Sequence, residues 1–179
     1  MLGPLQATPV HAGQGYLYCL DLLDKAAPGY WLINQHVAPM FRFDAERLRR
    51  MRAELRRREE LLGELTPLPG ANFAVDESWA RLYPYAVRAQ AGETADVELR
   101  LYNHASKPTE FRIRWNVPEG WRLEAGESRV SIPARSEGAA KARLRAAAPP
   151  ECAVLTTDIA FAGFDLRRWT EALLESAVR

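Results

Sequence analysis

The feature that most limits the fold is a two-residue alternation running from Val97 to Val117. Val97, Leu99 and Leu101 alternate with Glu98, Arg100 and Tyr102. After the polar stretch Asn103-His104-Ala105-Ser106-Lys107-Pro108, the apolar Phe111, Ile113, Trp115 and Val117 alternate with Arg112, Arg114 and Asn116. Successive side chains of a strand point to opposite faces, so both runs read as strands with one dry and one wet side. A turn between them makes an antiparallel hairpin. Shorter runs follow: Val130 and Ile132; Ala140, Ala142 and Leu144 against Lys141, Arg143 and Arg145; then Leu155, Thr157, Ile159 and Phe161. Pro118-Glu119-Gly120, Gly126, Pro133 and Ala148-Pro149-Pro150 supply turn chemistry between them. Strands at this spacing predict an antiparallel β-sandwich over residues 81–179. The tail fits two patterns. Leu166, Trp169 and Leu173 suit a helix, while Thr170, Ala172, Leu174 and Ser176 suit an outer strand, and the sandwich context selects a closing strand from about Trp169.

Composition excludes several classes. Apolar residues make up 47% of the 179 residues and charged ones 26%, which is ordinary for a soluble globular protein. A formal charge of +1 argues against nucleic-acid binding through bulk electrostatics. No apolar run reaches the roughly 18 residues that span a bilayer, and Met1 opens no basic-then-apolar signal peptide. Cys19 and Cys152 are too few for a disulfide framework or a zinc knuckle, and they read as small buried residues.

The N-terminal third has a different rhythm. Residues 1–10 read as an extended lead-in. From Gly15, Leu17, Leu20 and Leu23 share a helical side that Tyr16, Cys19 and Leu22 widen, and Gly29 ends it. Trp31-Leu32-Ile33-Asn34 is a short apolar run that suits a strand buried on both faces of an α/β layer. Asp44 then caps a long helix with Leu48, Met51, Leu55, Leu62 and Leu65 at three- and four-residue steps. The fold class is therefore α+β: a helix, short strand and long helix over residues 1–65, a linker over 66–80, and the sandwich. A helix, one doubly buried strand and a helix form an incomplete layer, so residues 1–65 read as a piece of a longer protein.

Candidate sites are sparse. The arginines of the long helix (Arg42, Arg47, Arg49, Arg50, Arg52, Arg56, Arg57 and Arg58) interleave with Asp44, Glu46, Glu54, Glu59 and Glu60, which describes a solvated face rather than a nucleic-acid interface. Its apolar stripe suits packing on a parent domain or a homodimer through a short coiled coil, and Arg58 interrupting the stripe favours the former. Trp79, Leu82, Tyr83 and Tyr85 read first as a cover for the joint between the two parts and second as a glycan platform. Trp115, Trp121 and Trp169 read as packing residues. There is no G-x-S-x-G elbow and no Gly-rich phosphate loop. Glu59-Glu60 and Asp21/Asp24 are helix-surface acids without a facing partner across a cleft. His36 stands where a strand hands over to a loop, the edge where open α/β sheets gather ligands. As a zinc ligand it needs at least two more donors. His11 and His104 are not at a matching spacing, so the residues alone describe a hydrogen-bonded loop histidine.

Two resemblances add to this. Asn103, Pro108, Val117-Pro118-Glu119-Gly120-Trp121 and Val130-Ser131-Ile132-Pro133-Ala134 resemble the Ig-like domain of the alpha-galactosidase-associated (NEW3) type, an accessory module of bacterial enzymes. That resemblance covers about half the chain and implies a fold and an accessory role without catalytic residues. Gly15 to Leu23 and Trp31-Leu32-Ile33-Asn34-Gln35-His36-Val37-Ala38-Pro39 resemble the closing helix, strand and turn of the metallo-β-lactamase fold. In that family a "P-G-H-G-x-P" turn carries a metal-binding His. His36 and Pro39 match it; Asn34, Gln35 and Val37 depart from it, and the early "H-x-H-x-D-H" cluster is not in this sequence. The resemblance implies a zinc-dependent hydrolase as parent, working through metal-activated water. His36 would be one zinc ligand in the intact parent domain, the missing N-terminal part of that domain would be the partner, and this chain alone would be inactive. The other reading of function is a free-standing Ig-like interaction module with a helical docking or dimerisation segment.

Overall fold

The computed structural model describes residues 15–26, 29–32, 40–42 and 44–177. The chain divides into two compact units, Met1–Glu77 and Ser78–Arg179.

The first unit is helical. Helix α1 (Gly15–Ala26) and helix α2 (Ala45–Leu65) pack through Leu20 and Leu48, with Leu23 and Leu55 against them. Asp44 caps α2 as expected, its Oδ1 accepting from the Arg47 backbone N–H at 2.7 Å, a contact of about 1 kcal/mol. At the other end the Thr66 N–H reaches Leu62 O at 3.1 Å. Arg52 of α2 binds two acids of α1, Asp21 at 2.6 Å and Asp24 at 3.2 Å. Arg57 pairs with Glu60 one turn on. Between the helices lies a small antiparallel hairpin, β1 (Trp31–Leu32) and β2 (Phe41–Arg42), with Trp31 opposite Arg42. This corrects the expectation of a strand buried on both faces. Trp31 is 61% exposed and its strand has one antiparallel neighbour among the described residues. Ile33, Asn34 and the turn through Pro39 lie outside the described residues. A second correction concerns the helix faces. Cys19 and Leu22 do not widen the dry side of α1 but are exposed, as is Cys152 in the sandwich. A short helix, α3 (Asn72–Val75), follows within this unit.

The second unit is the expected sandwich. Its five-stranded sheet runs β4 (Ala86–Ala89), β11 (Phe164–Ser176), β10 (Cys152–Phe161), β6 (Thr109–Asn116), β8 (Arg129–Ile132). The four-stranded sheet runs β3 (Ala80–Tyr83), β5 (Thr94–Tyr102), β9 (Glu137–Ala146), β7 (Trp121–Gly126). Every pairing is antiparallel except β4 with β11. The alternating residues meet between the sheets: Val97, Leu99 and Leu101 from one side, Phe111, Ile113, Leu155, Ile159 and Phe161 from the other, all buried. Each such side chain contributes about 1.5–3 kcal/mol over its exposed state. The tail is a strand, and it starts at Phe164, five residues before the expected Trp169.

Trp79 packs within the sandwich. It is 1% exposed, with its ring 5.4 Å from Phe161 and 6.2 Å from Phe111 inside the sandwich, and Leu82 is buried with it. Tyr83 and Tyr85 are exposed, and the Arg100 guanidinium lies 3.8 Å over the Tyr83 ring. The Pro118-to-Trp121 turn is set by Gly120 at φ +83°, a conformation that costs a residue with a Cβ. A Cβ there would fall on the carbonyl oxygen of Ala148, while the Ala147 and Ala148 N–H groups both donate to Gly120 O. Trp121 then enters β7 buried, opposite Ala146.

Candidate functional site

The two outer faces of the sandwich carry charge differently. On the four-stranded sheet, acids oppose bases between β5 and β9, while Arg81 stands opposite Arg100 and Arg122 opposite Arg145. Asp96 stands opposite Arg143 and Glu98 opposite Lys141. Arg143 Nε reaches Asp96 Oδ1 at 2.7 Å, Arg81 reaches Glu137 at 2.6 Å, and Arg145 pairs with Glu124. The hydrogen bond from Arg143 holds the Asp96 carboxyl below its ordinary pKa.

The five-stranded sheet has a like-charge pair at one end whose members both lack an acid partner among the described residues. β6 and β8 pair so that Arg112 stands directly opposite Arg129, both exposed. Like charges at directly opposed positions are destabilising. Neither arginine has an ion-pair partner among the described residues. Beside them an open groove of about 460 Å³ is lined by Arg112, Arg114, Asp158, Phe164, Asp165 and Arg167.

The acids of the groove are already engaged. Asp158 sits in β10 opposite Arg114, where the β10–β11 register shifts between Thr157 and Ile159. That bulge brings the Arg168 N–H to Asp158 Oδ1 at 2.9 Å, with Arg168 at φ +48°. Asn116 Nδ2 donates to the same oxygen at 2.6 Å, and Arg114 reaches Oδ2 at 2.6 Å. Burial pushes the Asp158 pKa up, but the hydrogen bonds from Arg168 and Asn116 and the charge of Arg114 outweigh it. The carboxyl is held below its ordinary value and stays ionised. Asp165 lies 3.5 Å from Arg167. On the dry side of the same bulge the hydroxyls of Thr157 and Thr170 meet at 2.7 Å.

Asn103 holds the loop at the other end of β6. Fully buried, its Nδ2 faces the carbonyls of Lys107 (2.9 Å), Ile132 (3.0 Å) and Pro133 (3.1 Å), and its Oδ1 accepts from the Ala105 N–H at 3.0 Å. This accounts structurally for Asn103, which the sequence singled out. His104 beside it is buried, its ring 4.7 Å from that of Tyr102.

His36 and His11 lie outside the described residues. Among the described residues no group of three or more His, Cys, Asp or Glu is placed to hold a metal ion. They therefore provide no donor set for the zinc implied by His36. Asp21 and Asp24 converge on Arg52 rather than facing a cleft. No described helix is long and apolar enough to cross a membrane. The arginine pair escaped the sequence reading because cross-strand register is not written in either strand alone; only the Arg-x-Arg rhythm of β6 hinted at it.

No protein-family model matches the chain, and no curated protein matches it. Solved structures do. A FixG-related protein from Vibrio parahaemolyticus is similar at 9% identity and a TM-score of 0.40, over 49% of this chain and 82% of that one. The alpha-2-macroglobulin of E. coli is similar at 14% identity and a TM-score of 0.44, over 55% of this chain and 6% of that one. The PapD-like domain 7 of human CEP192 is similar at 10% identity and a TM-score of 0.37, over 56% of this chain and 85% of that one. At such identities the likeness concerns fold alone and brings no function to this chain.

Proposed function

We propose that the chain is the non-catalytic C-terminal portion of a metal-dependent hydrolase of metallo-β-lactamase-like fold, with the sandwich as an accessory interaction domain of the Ig-like, NEW3 type. The observation that supports this is the apolar surface of the helical unit. Tyr18, Leu22, Tyr30, Trp31, Met40 and Leu65 are all exposed there, while the buried cluster described between α1 and α2 is a small group of leucines around Leu20 and Leu48. Such a unit gains most of its stability by burying that surface against further layers. The sandwich has a continuous core between two sheets and needs no such completion. His36 is the one residue of this chain assigned toward the metal, and no chemical step is assigned to the chain itself.

The test uses the entire reading frame in which this chain occurs. Its product should carry zinc, and His36→Ala should lower the zinc bound per polypeptide while leaving sandwich unfolding unchanged. A product that consists of this chain only, or zinc content indifferent to His36→Ala, overturns the proposal. The runner-up, a free-standing module docking through α2, draws on the exposed Met51, Leu61 and Leu65 of that helix. It predicts a concentration-dependent dimer of this chain that Leu65→Lys dissociates.

A further inference from the structure

We propose that the Arg112–Arg129 end of the five-stranded sheet, with the open edge of β8, binds an extended acidic peptide segment of a partner protein. The proposal deepens the accessory-domain reading and rests on it only in assigning the sandwich to binding.

Three observations carry it. The first is the unmatched pair. Arginines also oppose each other at Arg81–Arg100 and Arg122–Arg145 on the four-stranded sheet, but there Arg81, Arg100 and Arg145 each have an acid partner (Glu137, Glu98 and Glu124), whereas neither Arg112 nor Arg129 has one among the described residues. Sequences tolerate a local electrostatic conflict where a ligand relieves it. The second is that the acids of the groove are committed. Asp158 is held by Arg114, Asn116 and the Arg168 N–H, and Asp165 lies beside Arg167. Glu110, also on the outer face of β6, stands opposite Ser131 and is paired with neither arginine among the described residues. The third is the edge. β8 ends the sheet, and among the described residues no strand pairs with its outer side. A strand added there gains main-chain hydrogen bonds and sets alternate side chains level with Arg129 and Ser131. Glutamates in those positions meet guanidinium groups whose planar forks suit carboxylates.

A peptide fits better than a nucleic acid. Arg112, Arg114, Arg129 and Arg167 against Glu110, Asp158 and Asp165 leave a net charge of +1. That suits a few carboxylates rather than a backbone carrying one phosphate charge per roughly 1.7 Å. A strand edge also matches an amide ladder, which a sugar-phosphate backbone lacks.

The test is fluorescence anisotropy on the full chain with a labelled ten-residue peptide alternating Glu and Thr. Binding is expected, weakening as salt rises. Arg112→Ser and Arg129→Ser should each weaken it about tenfold, the loss of one charge-assisted contact. Arg143→Ser on the opposite sheet should leave it unchanged. A peptide of the same charge with prolines at the Thr positions should bind poorly, since it cannot donate to a ladder. Thermal melts of Arg112→Ser and Arg129→Ser no lower than wild type show that lost binding is not lost fold. The proposal is overturned if the Glu peptide fails to bind, if either arginine variant binds it as well as wild type, or if the proline peptide matches it. A single-stranded oligonucleotide binding more tightly than the peptide also overturns it. These results move independently of the zinc content that tests the hydrolase reading.

Discussion

Replacing Asn103 tests how the sandwich closes its β5–β6 corner. The carboxamide spends both of its donor hydrogens on three main-chain carbonyls and accepts from one N–H, all at 2.9–3.1 Å and at a position with no solvent exposure. Asn103→Ala deletes these contacts and leaves the part-buried Ala105 N–H without the Asn103 Oδ1 acceptor. With about 1 kcal/mol per lost net hydrogen bond and about 1–3 kcal/mol per stranded buried group, the cost is about 3–4 kcal/mol. In a unit of this size that lowers the melting temperature by roughly 15 °C. Asn103→Asp is the sharper variant. It keeps the shape but points a carboxylate at three carbonyl oxygens, so at neutral pH it should be less stable than the alanine variant. Acidification should restore part of the loss, because a protonated acid donates one hydrogen bond. Urea titrations followed by tryptophan fluorescence at pH 7 and pH 4 measure both. An alanine variant within about 0.5 kcal/mol of wild type, or an aspartate variant as stable as alanine at pH 7, refutes the reasoning.

Gly120→Ala forces a Cβ onto Ala148 O at positive φ and should cost about 2–4 kcal/mol by the same titration. Asp158 has a folded-state pKa below its ordinary value, so its contribution is present above that value and lost as pH falls through the folded one. Asp158→Asn should therefore be less stable than wild type at pH 7, by about 2 kcal/mol, with the gap closing in strongly acidic buffer. Arg129→Glu turns the like-charge pair into an ion pair with Arg112 and should raise stability by about 0.5 kcal/mol, read as a higher urea midpoint, while abolishing binding of the acidic peptide.

The sandwich was legible because its central strands keep a period of two over many residues. β5, β6, β9 and β10 all show it, and their dry residues are the observed core. β7 was missed for the converse reason. It lies at a sheet edge where everything after Trp121 is exposed, so Leu123 alternates with nothing. Trp31-Leu32 was misassigned because a short apolar run cannot distinguish a strand covered on both faces from one arm of a small hairpin. Cys19 and Cys152 were placed inside on the habits of their residue type, and both are exposed. The Asp158 network and the Arg112–Arg129 pair depend on register and on a bulge, which emerge only when separate strands are laid side by side.

The order of strands in the five-stranded sheet bears on how the protein is made. β11, latest in sequence of the strands, lies second in the sheet and bridges β4 to β10. Until residues 164–176 have left the ribosome, β4 has no neighbouring strand in its sheet and β10 lacks its partner on that side. Completion of this module therefore waits for that strand to emerge. A nascent chain stopped, or clipped by a protease, before Phe164 should be handled by the cell's quality control as misfolded.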